Sequence, residues 1–174
     1  MSQLSQELQY RIEKQARLLG SFKVQCVLIG GVAAALHGSS IPTQDLDVCY
    51  ARDSANLERL ASALRSVNAR LRGAPENMPF ILDADTLRSG LNFTFATDIG
   101  NLDILGEVRG VGYYEDVAAD CISYELFGYS FAVIDIAKLI ISKRSAGRPK
   151  DLVTIVELEA IQERQKIEQS EIIE

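Results

Sequence analysis

Residues 28–50, LIGGVAAALHGSSIPTQDLDVCY, constrain the fold of this 174-residue chain more than any other segment. A glycine pair ends a short apolar run, an alanine-rich stretch follows, and Asp45 and Asp47 then alternate with leucine and valine. Neighbouring side chains of a strand point to opposite faces, so the two carboxylates are predicted to share one face while the apolar pair occupies the other. Two acids held side by side are costly without a cation between them, and a hard divalent cation that carries phosphate oxygens is expected.

Length, composition and charge limit the classes of protein that this chain can form. At 174 residues and 47% hydrophobic, it can bury one sizeable core, and a single domain over residues 1–174 is expected. Within it we predict an N-terminal helix over 1–22, a mixed-sheet core over 24–133 and C-terminal helices over 135–168. The net charge of −6 argues against a surface built throughout to bind nucleic acid, because counterion release rewards a basic face.

Cysteine use and the N-terminal sequence favour the reducing cytosol. Cys26, Cys49 and Cys121 lie far apart without a CxxC pair, so we expect small buried apolar side chains rather than zinc ligands. The N-terminus lacks a secretory signal pattern, and no apolar run reaches the roughly 18 residues of a membrane span. A soluble cytoplasmic protein with no membrane partner is therefore predicted.

Hydrophobic periodicity predicts an α/β protein in which a mixed sheet is flanked by helices. Strands and helices alternate early in the chain, and strands pair later. Predicted helices cover residues 4–19, 32–36 and 54–64, the last with Ser54 as its N-cap, and predicted strands cover 24–29, 45–50, 92–96 and 102–105. Residues 97–101 are predicted to form a hairpin connection, and residues 127–130 a turn between short strands.

A third acid lies in the second strand of the predicted hairpin. Asp103 is flanked by Leu102 and Ile104, so its side chain points away from the apolar face and can complete a three-carboxylate cluster with the first pair. Two magnesium ions roughly 3.5–4 Å apart, which activate an attacking hydroxyl and bind a triphosphate, need carboxylates held on rigid strands in this way. The third acid can also accept the proton of that hydroxyl.

The segment between the first strand and the first acid is predicted to contact phosphates. Gly30 and Gly31 let the backbone approach a phosphate closely, and the helix that starts near Val32 presents free amide donors and the positive end of its dipole. Ser39 and Ser40 can add hydroxyl donors. Taken alone, a glycine pair is usually a turn and an Asp-x-Asp strand a solvated face, so the interpretation depends on their order. The G-x-G-x-x-G spacing of dinucleotide-binding proteins is absent.

The order of these motifs carries a resemblance to a known family. The glycine pair, then DLDV at 45–48, then LDI at 102–104, resembles the signature of the DNA polymerase β-like nucleotidyltransferase superfamily. The fuller strings GGVAAALHG and TQDLDV are similar to small bacterial nucleotidyltransferases related to the AbiEii toxins and the minimal nucleotidyltransferases. Residues 138–158 resemble the helix pair that follows the core in those proteins.

The resemblance implies a nucleotidyltransferase-like mixed sheet followed by a C-terminal helix pair. It implies metal and base roles for Asp45, Asp47 and Asp103, and a phosphate role for the glycine pair. The chain departs from the family at Ile41, where relatives often carry an arginine two residues before the threonine, and this departure bears on substrate handling.

The concentrated positive patch of this acidic chain precedes its last predicted helix. It consists of Lys143, Arg144, Arg148 and Lys150. One interpretation is contact with phosphate or RNA, which makes Lys143, Arg144 and Lys150 candidate nucleotide-binding residues. The other is a solvated loop between two helices. Lys138 is a weaker candidate whose side chain can simply snorkel.

Other candidate residues have structural interpretations that compete with functional ones. His37, at the end of an alanine-rich helix, is more typical of a structural histidine and is not a catalytic candidate. Tyr113 and Tyr114 can stack on a base or simply form an exposed loop pair.

The sequence supports one principal hypothesis and two alternatives. The principal hypothesis is transfer of a nucleoside monophosphate from a nucleoside triphosphate to an acceptor hydroxyl of RNA such as tRNA, of a protein or of a small molecule, with two Mg²⁺ ions. The first alternative is a non-catalytic nucleotide-binding or protein-interaction module of a toxin–antitoxin type system, with an antitoxin partner. The second is an antibiotic nucleotidyltransferase, whose cationic substrate would suit the acidic chain. The apolar face of the opening helix allows a homodimer.

Overall fold

The computed structural model describes residues 3–75 and 77–173, which form an α/β structure. The helices are α1 Gln3–Ser21, α2 Gly30–His37, α3 Ser54–Ser66, α4 Ala84–Ser89, α5 Tyr114–Ala118, α6 Ile136–Ala146 and α7 Asp151–Ile173. The strands are β1 Cys26–Ile29, β2 Leu46–Tyr50, β3 Arg70–Leu71, β4 Asn92–Thr97, β5 Gly100–Leu105, β6 Glu107–Val108, β7 Gly112–Tyr113, β8 Ile122–Leu126 and β9 Tyr129–Val133.

A seven-stranded mixed sheet with the order β3-β4-β5-β2-β1-β9-β8 forms the centre of the fold. The β2–β5 and β1–β9 pairs are parallel, and the other neighbours are antiparallel. β6 and β7 form a separate two-stranded ribbon. The predicted mixed sheet flanked by helices is therefore confirmed.

The apolar residues that alternate with the acids lie in the hydrophobic core. Leu46, Val48, Leu102 and Ile104 are completely buried, and the core also takes in Leu19 from α1. Complete burial of such a side chain contributes about 1.5–3 kcal/mol. The alternation thus fixes which face of β2 and β5 carries the acids. The apolar face of α1 packs in this core, and the homodimer stays a prediction.

Several predicted element boundaries were wrong by one or two residues. β1 begins at Cys26 rather than at residue 24, and α2 begins at Gly30 rather than near residue 32. The N-cap of α3 is Asp53, whose carboxylate accepts from the Asn56 N–H at 2.9 Å, and not Ser54. The β4–β5 connection is tighter than predicted, because Thr97 and Gly100 already pair across the hairpin.

The predicted C-terminal helix pair is present and packs beside α2. The carboxylate of Asp135 caps α6 by accepting from the Ala137 N–H at 2.8 Å, and Gly147 ends the helix in the left-handed region with φ +64. Leu139 of α6 and Leu158 of α7 are completely buried. Both ends of the short α6–α7 connection, residues 147–150, are therefore anchored in helices that pack beside α2.

Cysteine burial agrees with the sequence expectation. Cys26 and Cys49 are buried free thiols, and burial raises the pKa of each to about 12. Cys121 is also free and is half-buried.

Among the described residues, none of the helices is both long enough and apolar enough to cross a bilayer.

Candidate active site

The three predicted acids line one surface pocket with a volume of about 770 Å³. Asp47 of β2 lies opposite Asp103 of β5 in the parallel register, and Thr94 of β4 lies opposite Asp103 on its other side. Residues paired in this way point to the same face of a sheet. Asp45 lies directly before β2, where its backbone carbonyl accepts from the Thr43 hydroxyl at 3.2 Å. The sequence therefore brings three carboxylates to one place.

The environment of Asp47 disfavours a negative charge. Burial, followed by the charges of Asp103 and Asp45, raises the pKa of Asp47 to about 6, although a hydrogen bond from the Gly31 N–H acts in the opposite direction. Burial also raises the pKa of Asp103, while the guanidinium of Arg72 opposes this shift. The nearby basic side chains thus neutralise the carboxylates only in part, and an additional cation would be favourable.

The raised pKa of Asp47 gives a prediction for stability against pH. Because its pKa is about 6 in the fold against 3.8 ordinarily, the folded state binds this proton more tightly than the unfolded state. Ionisation of Asp47 therefore destabilises the fold as the pH rises from about 4 to about 6. We expect Asp47→Asn to be more stable than the parent by about 2–3 kcal/mol at pH 8 in EDTA, and the difference to disappear near pH 4. Urea unfolding at the two pH values measures this, and an equal difference at both would contradict it.

Gly30 and Gly31 have no room for side chains because Asp47 and Thr43 occupy the adjacent space. Gly30 has φ +66, and a Cβ there would lie 2.1 Å from Asp47 Oδ2. A Cβ on Gly31 would lie 2.3 Å from Thr43 Oγ1. The glycine pair thus brings the first turn of α2 against the acids, and the Gly31 N–H donates to Asp47.

Substitution of Gly30 should be much more costly than substitution of a glycine with the same backbone conformation in open space. Gly73, with φ +79 and no atom within 4 Å of the point where its Cβ would lie, is the matched control. We expect Gly73→Ala to cost about 1 kcal/mol for the left-handed backbone alone. Gly30→Ala should cost at least about 2 kcal/mol more, because its methyl group displaces the Asp47 carboxylate. Urea unfolding of both variants tests this, and equal costs would refute the close approach.

Arg72 is a site residue that the sequence analysis missed. Its Nη2 donates to both carboxylate oxygens of Asp103, at 2.7 and 2.8 Å, and its Nη1 donates to Asp45 Oδ2 at 3.2 Å. Its backbone N–H donates to the Thr94 carbonyl at 2.9 Å, which extends the row of paired residues by one. The two-residue strand β3 is too short to show a period, so no local pattern in the sequence pointed to Arg72.

Asn101 and Arg109 are two further polar residues of this region. Asn101 Nδ2 donates to Asp45 Oδ1 at 3.1 Å and so orients that carboxylate from β5. Arg109, which the sequence analysis did not single out, lines the pocket.

Ser39 and Ser40 do not line the pocket, and their donation to a nucleotide stays a prediction. The Ser39 hydroxyl donates to Glu157 Oε2 at 2.6 Å, and the Ser40 hydroxyl donates to Glu157 Oε1 at 2.7 Å. The Ser40 N–H also donates to Glu157, at 2.9 Å. These bonds lower the pKa of Glu157 and fasten the end of α2 to α7. The hydroxyls already have a carboxylate partner, which motif spacing could not show.

The basic patch divides into residues that line the pocket and one that does not. Lys143 and Lys150 line it, as does Arg148, whereas Arg144 pairs with Glu159 on the surface. Arg144 is therefore not part of the pocket, and its contact with a nucleotide stays a prediction.

Lys143 is buried rather than part of a solvated loop. Its Nζ lies 3.4 Å from Asp151 Oδ1, and Arg148 Nε donates to Asp151 Oδ2 at 2.6 Å. Burial would raise the pKa of Asp151, but these two cations outweigh it and lower the pKa. Asp151 thus holds two cationic side chains at the wall of the pocket.

The remaining candidates have structural contacts. His37 is buried, and its Nε2 donates to the Ile134 carbonyl at 2.7 Å, in agreement with the structural interpretation. Lys138 Nζ donates to the Asp116 carbonyl at 2.8 Å. Tyr113 is exposed and Tyr114 packs against the core, and neither lines the pocket.

The donor set suits a hard divalent cation, but its present arrangement is not a preformed metal site. Three carboxylates supply the oxygen ligands that Mg²⁺ prefers, and their mutual repulsion favours an added cation. Within residues 3–75 and 77–173, no three acidic, histidine or cysteine side chains are grouped closely enough to hold a metal ion as they stand. The guanidinium of Arg72 instead contacts Asp45 and Asp103.

The fold is nucleotidyltransferase-like, with a seven-stranded mixed sheet followed by a helix pair. The lincosamide antibiotic adenylyltransferase LnuA, in its lincomycin-bound crystal structure, matches with a TM-score of 0.57. That match covers 87% of this chain and 96% of the other at 14% sequence identity. The solution structure of the antibiotic-resistance factor ANT(2'')-Ia matches with a TM-score of 0.53, over 98% of this chain and 96% of the other at 11% identity. No protein-family model matches the chain, and no curated protein matches it by sequence.

Proposed function

We propose that this protein transfers a nucleoside monophosphate from a nucleoside triphosphate to an acceptor hydroxyl. The observation that carries the proposal is the meeting of Asp45, Asp47 and Asp103 with the Gly30–Gly31 turn in one pocket. An acid cluster beside the N-terminus of a helix suits both a divalent cation and the phosphates that it would carry.

The three acids would hold the metal, and one of them would also act as a base. Asp45, Asp47 and Asp103 are the residues that would bind Mg²⁺, with two ions as the expected number. When bound, Mg²⁺ supplies positive charge to the phosphate oxygens and makes an adjacent hydroxyl more acidic. Asp103 accepts the proton of the acceptor hydroxyl, and the raised pKa of its carboxyl suits it to this role. The acceptor oxygen forms a bond to the α phosphorus, and pyrophosphate leaves.

The basic wall of the pocket, which includes Lys143, Arg148 and Lys150, provides positive charge for the triphosphate. Gly30 and Gly31 of the first turn of α2 line the same pocket as the acids, and so do Arg148 and Lys150. Lys143 contributes charge from a buried position, and its electrostatic effect reaches Asp47. Guanidinium and ammonium groups both stabilise phosphate oxygens, so this wall suits the β and γ phosphates.

An antibiotic nucleotidyltransferase is the second candidate within the same chemistry. Both solved structures described above are antibiotic-related proteins by name, and a net charge of −6 favours a cationic acceptor. If cells that express the protein are protected against lincosamides or aminoglycosides, the acceptor belongs to this class. The AbiEii-type toxin relation, with tRNA or protein as acceptor and an antitoxin as partner, rests on the motif resemblance alone.

Calorimetric titration of the four nucleoside triphosphates with Mg²⁺ tests the proposal. We expect the parent to bind at least one nucleotide in a magnesium-dependent way, and Asp47→Asn to lose that binding because a metal ligand is missing. Asp98→Asn is the control, since Asp98 lies at the tip of the β4–β5 hairpin outside the pocket. Failure of the parent to bind any nucleotide would instead favour the non-catalytic interaction module.

A further inference from the structure

Arg72 contacts two of the three carboxylates that the proposed function assigns to Mg²⁺. It donates to both oxygens of Asp103 and to one oxygen of Asp45. Hydrogen bonds from a charged guanidinium to carboxylates are among the stronger ones in proteins. A carboxylate that faces this cation at 2.7–2.8 Å is also a poor partner for a second cation at the same oxygens, because the two like charges repel.

The backbone of Arg72 is fixed while its side chain has access to water. The N–H of Arg72 donates to the Thr94 carbonyl, so the residue is anchored beside the acid row. About a third of its side chain is exposed, at 34%. The guanidinium can therefore leave the acids by rotating its own side chain, without any loss of strand pairing.

Asp47 differs from the other two acids in its contacts. Its carboxylate receives the Gly31 N–H and has no ion pair with a basic side chain among the described residues. Arg72 thus neutralises part of the cluster and leaves its most buried acid without a contacting cation.

We propose that Arg72 is the resident cation of this acid cluster, and that Mg²⁺ must displace it from Asp103 and Asp45 to bind. This inference rests on the proposed function, since it concerns the same metal ligands. It gives Arg72 a positioning role: it holds the two carboxylates in place in the free protein and lowers their affinity for free Mg²⁺.

Calorimetric titration with Mg²⁺ alone, without nucleotide, measures this competition. We expect Arg72→Gln to bind Mg²⁺ about tenfold more tightly than the parent, because the competing cation is gone. Lys150→Gln is the charge control, since the charge of Lys150 acts on Asp103 while its side chain makes no ion pair with that acid among the described residues. It should change the affinity for Mg²⁺ by no more than about twofold.

A second variant and a second measurement keep the test independent of folding defects. Arg72→Lys retains the charge but loses the two separate donor nitrogens that contact Asp103 and Asp45, so its Mg²⁺ affinity should be intermediate. In EDTA, Arg72→Gln should melt at a lower temperature than the parent, and added Mg²⁺ should raise its Tm more than that of the parent.

The outcomes separate this inference from the proposed function. If the parent binds Mg²⁺ and Arg72→Gln binds it no more tightly, the inference fails while the proposed function stands. An equal gain in Arg72→Gln and Lys150→Gln would also overturn it, because net charge rather than contact would be responsible. If neither the parent nor Arg72→Gln binds Mg²⁺ alone, the inference fails, and the titration of nucleotides with Mg²⁺ decides the proposed function separately.

Discussion

Asp103→Asn is expected to slow pyrophosphate release by at least about a thousandfold, with the fold unchanged. A positioned base contributes roughly 10²–10⁴ to a rate, and the substitution also removes a metal ligand. Asparagine keeps the size of the side chain, so the contacts of β5 with β2 and β4 are preserved. A coupled assay for pyrophosphate, with the acceptor identified by nucleotide labelling, gives the rate.

The control for this prediction lies on the same hairpin. Asp98→Asn makes the same change of charge at the β4–β5 turn, outside the pocket, and should leave the rate within about twofold of the parent. Circular dichroism of both variants establishes that the fold is retained. Parent-like turnover in Asp103→Asn would show that this acid is not catalytic.

The largest expected change in stability comes from Asp151. The side chains of Asp151 and Lys143 are only 5% and 8% exposed, so removal of the carboxylate leaves a buried ammonium group without its partner. Loss of one partner from a buried pair costs about 3–5 kcal/mol, and Asp151→Ala should lower the free energy of unfolding by that amount. Urea unfolding measures it at pH 7.

Two comparisons make the Asp151 experiment specific. Glu163→Ala removes an exposed acid from the same helix, where Glu163 pairs with Lys166 at 4.0 Å, and should cost less than about 0.5 kcal/mol. The double variant Lys143→Met/Asp151→Leu replaces the buried pair with apolar groups and should be more stable than Asp151→Ala. A cost for Asp151→Ala no larger than that of Glu163→Ala would contradict the burial of the pair.

The sequence predicted those parts of the fold in which local patterns are strong. Alternation of acids and apolar residues identified β2 and β5, because burial of one face imposes a two-residue period. The same alternation placed Asp47 and Asp103 on one face, where the register now sets them side by side.

The parts of the site that escaped prediction depend on contacts between distant segments. Arg72 follows a strand of two residues, and its approach to Asp103 requires the pairing of β3 with β4 and of β4 with β5. Ser39 and Ser40 carry hydroxyl groups of the kind that often bind phosphate. In the structure these hydroxyls donate to Glu157, which lies more than a hundred residues later in the chain. No local pattern encodes either partner.

The parallel pairing of β2 with β5 also has a consequence for how this protein folds. The chain between these two strands forms α3, β3, α4 and β4 before β5 returns to lie beside β2. Closure of such a loop costs chain entropy and tends to slow folding. The carboxylates of Asp47 and Asp103 become neighbours only when this closure is complete, so a ligand that needs both binds the folded chain alone. Such a ligand stabilises the whole sheet by an amount that grows with the logarithm of its concentration above its Kd, and its binding reports on completed folding.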